Sequence, residues 1–337
     1  MDKTDIQSNI VEYKKPNLTS VIVQTLFREY LVMVAIIVLV VVTSLVQPRF
    51  MSVQNLSNIL SQLGSLSVVA LGMTFVIIAG FIDLSVAGII NLVAMVTIVL
   101  IDPLGQIPAF AVGLGLGLLL GCANGLLVVS SGATLSEGLF LTFGMSTLFG
   151  ALALIFSGGA THQMRWLEGD TSLFTTIGSG TVGMVPVAVI IFIGCLFVMH
   201  FFLSKTYLGR SISLTGGNKT AAWLSGIQTK RTIILVFAIS GLMAALGAII
   251  LFSRITHAAP VLGVNYEINA ILAVVVGGTT LKGGKGSVLR TVMGIVLVVL
   301  LSNCMNLLGI STYMQTIMSG LVLVLAIWLD NRKEEFG

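Results

Sequence analysis

The sequence predicts an all-α polytopic membrane protein with about ten transmembrane helices, on three observations. Of its 337 residues, 56% are hydrophobic and 9% charged, against about 25% charged in a soluble domain. The apolar residues lie in continuous runs close to the roughly 20 residues that carry a helix across a bilayer. Those runs are rich in Leu, Val, Ile, Ala and Gly and lack the polar–apolar alternation of a barrel strand. Helices are then the remaining way to satisfy the backbone in lipid. So many spans leave short loops and no room for a soluble catalytic domain.

The tail, 1–29, carries Asp2, Lys3, Asp5, Glu12, Lys14, Lys15, Arg28 and Glu29. That lead is too polar and too long for a cleaved signal peptide, so the first span is expected to stay in the mature chain. The membrane domain, 30–329, then reads in order as Tyr30–Val46, Leu56–Gly80, Ser85–Ile101, Ala109–Ser130, Leu139–Phe156, Val185–Leu203, Thr232–Phe252, Ile268–Thr279, Thr291–Leu308 and Met314–Leu329. The eighth is short, either a half-helix or a span extended by its polar flanks. A second tail, 330–337, closes the chain. Cys122, Cys195 and Cys304 lie inside apolar runs, which speaks against a disulfide framework or a metal-ligand cluster. Gly113, Gly115, Gly117 and Gly121 on the fourth run are expected to let helices pack closely.

Charge sets an expected orientation. If the N-terminus is cytoplasmic and all ten runs cross, the inside segments are both tails and the loops near 81–84, 131–138, 204–231 and 280–290. Of the 17 Lys and Arg residues, only Arg49, Arg165 and Arg254 then fall outside, as the positive-inside rule requires. The net charge of +4 follows from dispersed loop residues, with no basic, aromatic-lined face for nucleic acid. The segments from Leu56 and from Thr232 share a pattern of long helix, break, acidic residue and new helix, the breaks being Gly80–Ser85 and Gly263–Glu267. Because the two long helices cross in opposite senses, an inverted repeat of helices 2–5 and 7–10 is suggested.

The run Gly277–Ser287 resembles a phosphate-binding loop but fails its spacing, since Lys285 is followed by Gly286 and Thr279 stands where the first Gly belongs. It reads as a cytoplasmic turn, so the chain carries no visible ATPase of its own. In the loop 204–231, Asn218 is suited to cap a two-turn helix over Lys219–Ser225, ended by Gly226 in a left-handed conformation. Ala221 and Ala222 keep one side small, while Trp223 and Leu224 offer apolar contact to a groove in another protein. A lipid-interface helix with Trp223 at headgroup level is the alternative.

This loop, with Gly209-Arg210, Gly216-Gly217-Asn218, Ala221-Ala222 and Ser225-Gly226-Ile227, resembles that of the permease subunit of ribose-type bacterial ABC sugar importers. Further matches follow in order from about Pro48 to Asp330: Leu71–Thr74, Ile82–Val86, Asn124-Gly125, Tyr266-Glu267, Gly277–Thr279, Gly283–Gly286 and Asn306–Gly309. The pattern is broken at Ser136-Glu137-Gly138, Asn269 and Cys304. The resemblance implies a multi-pass protein of the bacterial inner membrane. It also implies a second permease copy or a related permease, a cytoplasmic ATPase subunit that holds the ATP and Mg, and an extracytoplasmic sugar-binding protein. It makes the loop a coupling helix, with Gly216, Gly217, Asn218, Ala221, Ala222, Trp223, Ser225 and Gly226 as ATPase-coupling residues. No catalytic residue, metal or cofactor is expected in this chain.

For a neutral solute, Asn124, Thr142, Ser146, Asn303 and Asn306 are the expected pathway residues, because amides and hydroxyls offer donors and acceptors at a smaller desolvation cost than charge. Interhelical hydrogen bonding is the other role open to the three Asn residues. Asp83 and Glu267, each at a break before a helix, are expected to cap free N–H groups at its positive end. Two other function classes fit less well. A self-sufficient secondary transporter would carry ionisable groups well inside its spans, and here Asp83, Glu137, Glu267 and Arg290 all sit at span ends. An integral-membrane enzyme is opposed by the scatter of His162, His200 and His257.

Overall fold

The computed structural model describes residues 18–335, with side chains between residues 32 and 328. The expectations for the tail up to residue 17 and for the last two residues lie outside the described residues. Among the described residues the α-helices are, in order, α1 Leu18–Val46, α2 Val53–Ile78, α3 Val86–Leu104, α4 Gln106–Ser130, α5 Leu135–Ser157, α6 Ser172–Ser179, α7 Val187–Lys205, α8 Tyr207–Gly217, α9 Lys219–Leu224, α10 Thr229–Ile255, α11 Tyr266–Val276, α12 Val288–Leu307 and α13 Thr312–Glu335. Four two-residue strands, β1 His162–Gln163, β2 Thr181–Val182, β3 Val185–Pro186 and β4 His257–Ala258, form the antiparallel pairs β1–β4 and β2–β3.

Helices α2, α3, α4, α5, α7, α10 and α12 are long and apolar enough to cross a membrane. The other three predicted spans are shorter apolar helices: Val32–Val46 within α1, α11, and Thr312–Trp328 within α13. The chain is a multi-pass, all-α membrane protein, and its eighth predicted span is a half-helix of 11 residues. Polar residues set the helix starts. Ser52 accepts the Asn55 N–H ahead of α2, Ser287 accepts from Arg290 ahead of α12, and Thr134 and Glu137 form a capping box on α5.

The repeat suggested by the sequence has a counterpart in the packing. Helices α2, α3, α4 and α5 correspond to α10, α11, α12 and α13. Thus α3 packs on α4 and α5 as α11 packs on α12 and α13, and α10 packs on α3 and α4 as α2 packs on α11 and α12. The long pair α2 and α10 runs antiparallel: Gly72 faces Ser240 and Met243, while Gly247 faces Ser65 and Val69. The two units are therefore inverted relative to each other.

The tightest contact in the bundle joins α4 to α10, and small residues make it possible. A side chain on Gly117 would strike Gly241 and Ala245, one on Gly121 would strike Phe237 and Gly241, and one on Gly125 would strike Ile234. Gly113 is held against Thr97. Gly115 is the exception to the sequence expectation, with open space where its side chain would be.

Two helices escaped the sequence reading. Helix α6 buries Phe174 and Ile177, with the Phe174 ring 5.3 Å from that of Phe252 at the far end of α10. Helix α8 contains Gly209, Gly216 and Gly217, which disfavour a helix by propensity. It forms because Thr206 accepts the Gly209 N–H at 3.1 Å and because Gly209, Ser211, Ile212 and Thr215 are buried against the bundle. Tertiary packing overrides the local preference here.

Candidate functional site

The loop between α7 and α10 holds α8 and α9. Asn218 caps α9, its Oδ1 accepting the Ala221 N–H at 2.9 Å, and Gly226 follows with φ 82°. Both features match the sequence expectation. The placement of Ala222 does not. Ala222 is 4% exposed, buried within this chain together with Ile227, so it is not offered to a partner. The outward face presents Trp223, 65% exposed, and Leu224, 73% exposed, in line with the expected apolar contact, with Ala221 and Ser225 beside them. A charge at position 222 would disturb the seat of α9 before it met any partner.

Gly216 also points inward, whereas Gly217 is exposed. A side chain on Gly216 would collide with the Ile78 carbonyl and lie 2.7 Å from the Gly284 nitrogen. The Gly284 N–H donates to Ile78 O at 2.8 Å, and Gly283 packs against Gly80 and the Gly216 carbonyl. Gly80, Gly283 and Gly284 all adopt φ near 80°, where only glycine sits without strain. The segment that resembled a phosphate loop is thus a tight turn. It locks the end of α2 to the end of α8.

Beyond Gly80 the chain breaks before α3, and the break carries a buried polar network. Asp83 is fully buried. One carboxylate oxygen accepts the Ser85 N–H at 3.0 Å and the Ser85 hydroxyl; the other accepts the Ser240 hydroxyl of α10 at 2.8 Å. Asn124 of α4 donates to Ser85 Oγ, while its own Oδ1 has no partner. Asp83 does meet a free N–H, as expected of a cap, but α3 begins only at Val86, after Ser85. The carboxylate ties the break to α10 as well. Thr142 of α5 pins the same segment, accepting the Leu84 N–H at 3.1 Å and facing the Ile82 carbonyl. Sequence reading missed Ser85 and Ser240, because a lone serine in an apolar run gives no signal until its partner is known.

The remaining pathway candidates scatter. Asn303 is buried in a reciprocal amide pair with Asn55 of α2, at 2.9 and 3.1 Å. Asn306 is exposed and accepts from Gln315 Nε2 at 2.8 Å. The two amides share a helix but not an environment. Ser146 is half-buried, and its backbone packs on Gly88 of α3. Glu267 is in the first turn of α11, whose cap position is Asn265, and its Oε2 is buried without a partner. Asn269 Oδ1 and Arg254 Nε are likewise unpartnered. The strands bring His162 and His257 onto neighbouring rungs of one pair, while no three His, Cys, Asp or Glu among the described residues converge as a metal site would need.

The Asn55–Asn303 pair gives a first prediction. Asn303→Leu leaves a buried amide short of its partner, a loss of about 1 to 3 kcal/mol. Thermal unfolding in detergent is expected to shift down, and Asn55→Leu added to it is expected to recover part of the loss. A single mutant as stable as the wild type would contradict the pairing.

Comparison with known proteins gives a consistent result. Residues 55–327 match the family described as branched-chain amino acid transport system / permease component. The chain is 37% identical over 301 residues to the ribose import permease protein of Haemophilus influenzae, covering 88% of this chain and 91% of that one. It is 34% identical over 307 residues to the ribose import permease protein of Escherichia coli K12, covering 90% and 93%. It is 32% identical over 365 aligned positions to the xylose transport system permease protein of Escherichia coli K12, covering 91% and 93%. No solved structure matches.

Proposed function

We propose, on the premise that the chain belongs to the family of branched-chain amino acid transport system / permease components, that it is the membrane-spanning subunit of an ATP-driven importer of a neutral sugar or polyol. Helix α9 carries the reading. It is capped and anchored by its own chain, yet turns two large apolar side chains outward at one end of the bundle. That is the form of an element waiting for a groove. A separate ATPase subunit supplies the groove and holds the ATP and Mg, and an extracytoplasmic binding protein delivers the solute. The relatives named for ribose and xylose import support a pentose-like solute. Two permease copies, or this chain and a related one, enclose the pathway.

Of the expected pathway residues, Asn303 and Thr142 have their polar atoms engaged within the chain. Asn124 Oδ1 is buried without a partner, as are Asn269 Oδ1 and Glu267 Oε2, and these atoms, with Ser146 and Asn306, are the ones offered to solute hydroxyls. Uptake by the complete importer over pentoses, hexoses and polyols is the test of substrate class. Saturable uptake of a sugar or polyol is expected, and uptake confined to branched-chain amino acids would reject the reading.

The orientation places both tails and 204–231 on the cytoplasmic side of the bacterial inner membrane, as the basic residues favour. Lys219→Cys is expected to react with an impermeant thiol reagent only in inside-out vesicles. Ready labelling from the outside of right-side-out vesicles would reverse the topology.

A further inference from the structure

Helix α9 reaches the α2–α3 break through one aromatic ring. Phe81 follows Gly80 and is almost fully buried. Its N–H donates to Val76 O at 3.0 Å, fixing the ring at the end of α2. On one side the Phe81 ring lies 6.1 Å from the ring of Phe237 on α10, and its edge closes over Gly138 of α5. On the other side, Lys219 Nζ stands 6.0 Å from the ring centroid. Lys219 is the first residue of α9, and Gly216, three residues earlier, is wedged against Ile78 and Ala79. The end of α8 therefore meets the end of α2 through backbone, and the first residue of α9 meets the break through the Phe81 ring. Two residues beyond Phe81 lies Asp83, whose carboxylate holds Ser85 and Ser240, with Asn124 attached to Ser85.

We infer that Phe81 is a positioning residue that passes displacement of α9 to the Asp83 network, so that the partner's action on α9 moves the α2–α3 break relative to α10. The inference rests on the reading of α9 as the docking element. A buried ring wedged between a surface helix and two bundle helices has few ways to absorb motion, because close-packed interiors repack in discrete steps. The break is the element with two arrangements available: the Ser240 and Ser85 bonds to Asp83 can be kept or exchanged. Neither Phe81 nor Lys219 touches solute on this account. Both act through Asp83 and its partners.

The test uses the complete importer in proteoliposomes and reads solute transported per ATP hydrolysed. Phe81→Leu is expected to bind the ATPase as the wild type does and to lower that ratio by about fivefold, the scale of a modest coupling energy. Phe81→Tyr, which keeps the ring, is expected to restore it. Lys219→Gln, an exposed change that leaves the core intact, is expected to lower the ratio by about twofold, as loss of a cation–ring contact would. In the Phe81→Leu background it is expected to add nothing, since the two act through one contact. An unchanged ratio in assembled Phe81→Leu overturns the inference, as do independent, multiplying effects of the two substitutions. Should Phe81→Leu fail to assemble, Lys219→Gln decides alone, a lowered ratio supporting the inference and an unchanged one overturning it. Failure of the wild-type chain to bind any ATPase overturns the docking reading and this inference with it.

Discussion

Solute uptake is expected to fall to background when Trp223 is replaced by Asp, with the chain still inserted, folded and abundant. Trp223 is 65% exposed, so its loss removes little from the fold. Its place beside Leu224 on a rigid, capped helix makes it the dominant apolar anchor of the proposed groove contact. Truncating such an anchor costs about 2 kcal/mol or more, some 30-fold in affinity, and Asp adds an unpaired charge at the contact. Co-purification of the ATPase and detergent thermal stability separate the outcomes. Lost ATPase with unchanged stability is the expected pair. Retained ATPase and retained uptake would show that Trp223 belongs to the lipid interface instead.

A second large effect is expected at the α4–α10 contact. Gly121→Leu drives a side chain into the Phe237 carbonyl and the Gly241 backbone. Ordinary overpacking of a core costs about 1 to 3 kcal/mol; here the obstacle is helix backbone, which cannot rotate aside. Folded protein recovered in detergent is expected to fall severalfold. Gly115→Leu, six residues earlier on the same helix and facing open space, is expected to leave the yield near wild type. Equal yields for the two would contradict the close packing.

The same glycines show what the sequence could and could not reveal. Continuous apolar runs and the small residues at 113, 117 and 121 foretell spans and close packing, because both are properties of one helix and its surface. Gly115 looked equivalent to them but lies on another face, and without knowing the partner of α4 no reading could separate them. The α9 cap and stop were legible for the same local reason, since Asn218 and Gly226 act within a turn of themselves. Which face of α9 is buried was not legible: Ala222 turns inward because of how α8 and α10, its neighbours in the chain, fold against it. Helix α8 was missed because its glycines argue against a helix locally and are accepted for packing at Ile78 and Gly284. Asn303 and Asn306 looked alike on spacing, yet Asn55, 248 residues away, claims one and not the other.

Solute-dependent ATP hydrolysis in proteoliposomes tests the central claim most directly. The chain alone is expected to hydrolyse no ATP and to move no solute. With the ATPase subunit inside and the loaded binding protein outside, it is expected to take up solute only while ATP is hydrolysed, and to lose both activities on Trp223→Asp. Uptake by the chain alone, driven by a proton or sodium gradient and indifferent to ATP, would contradict the account and make the protein a self-sufficient transporter.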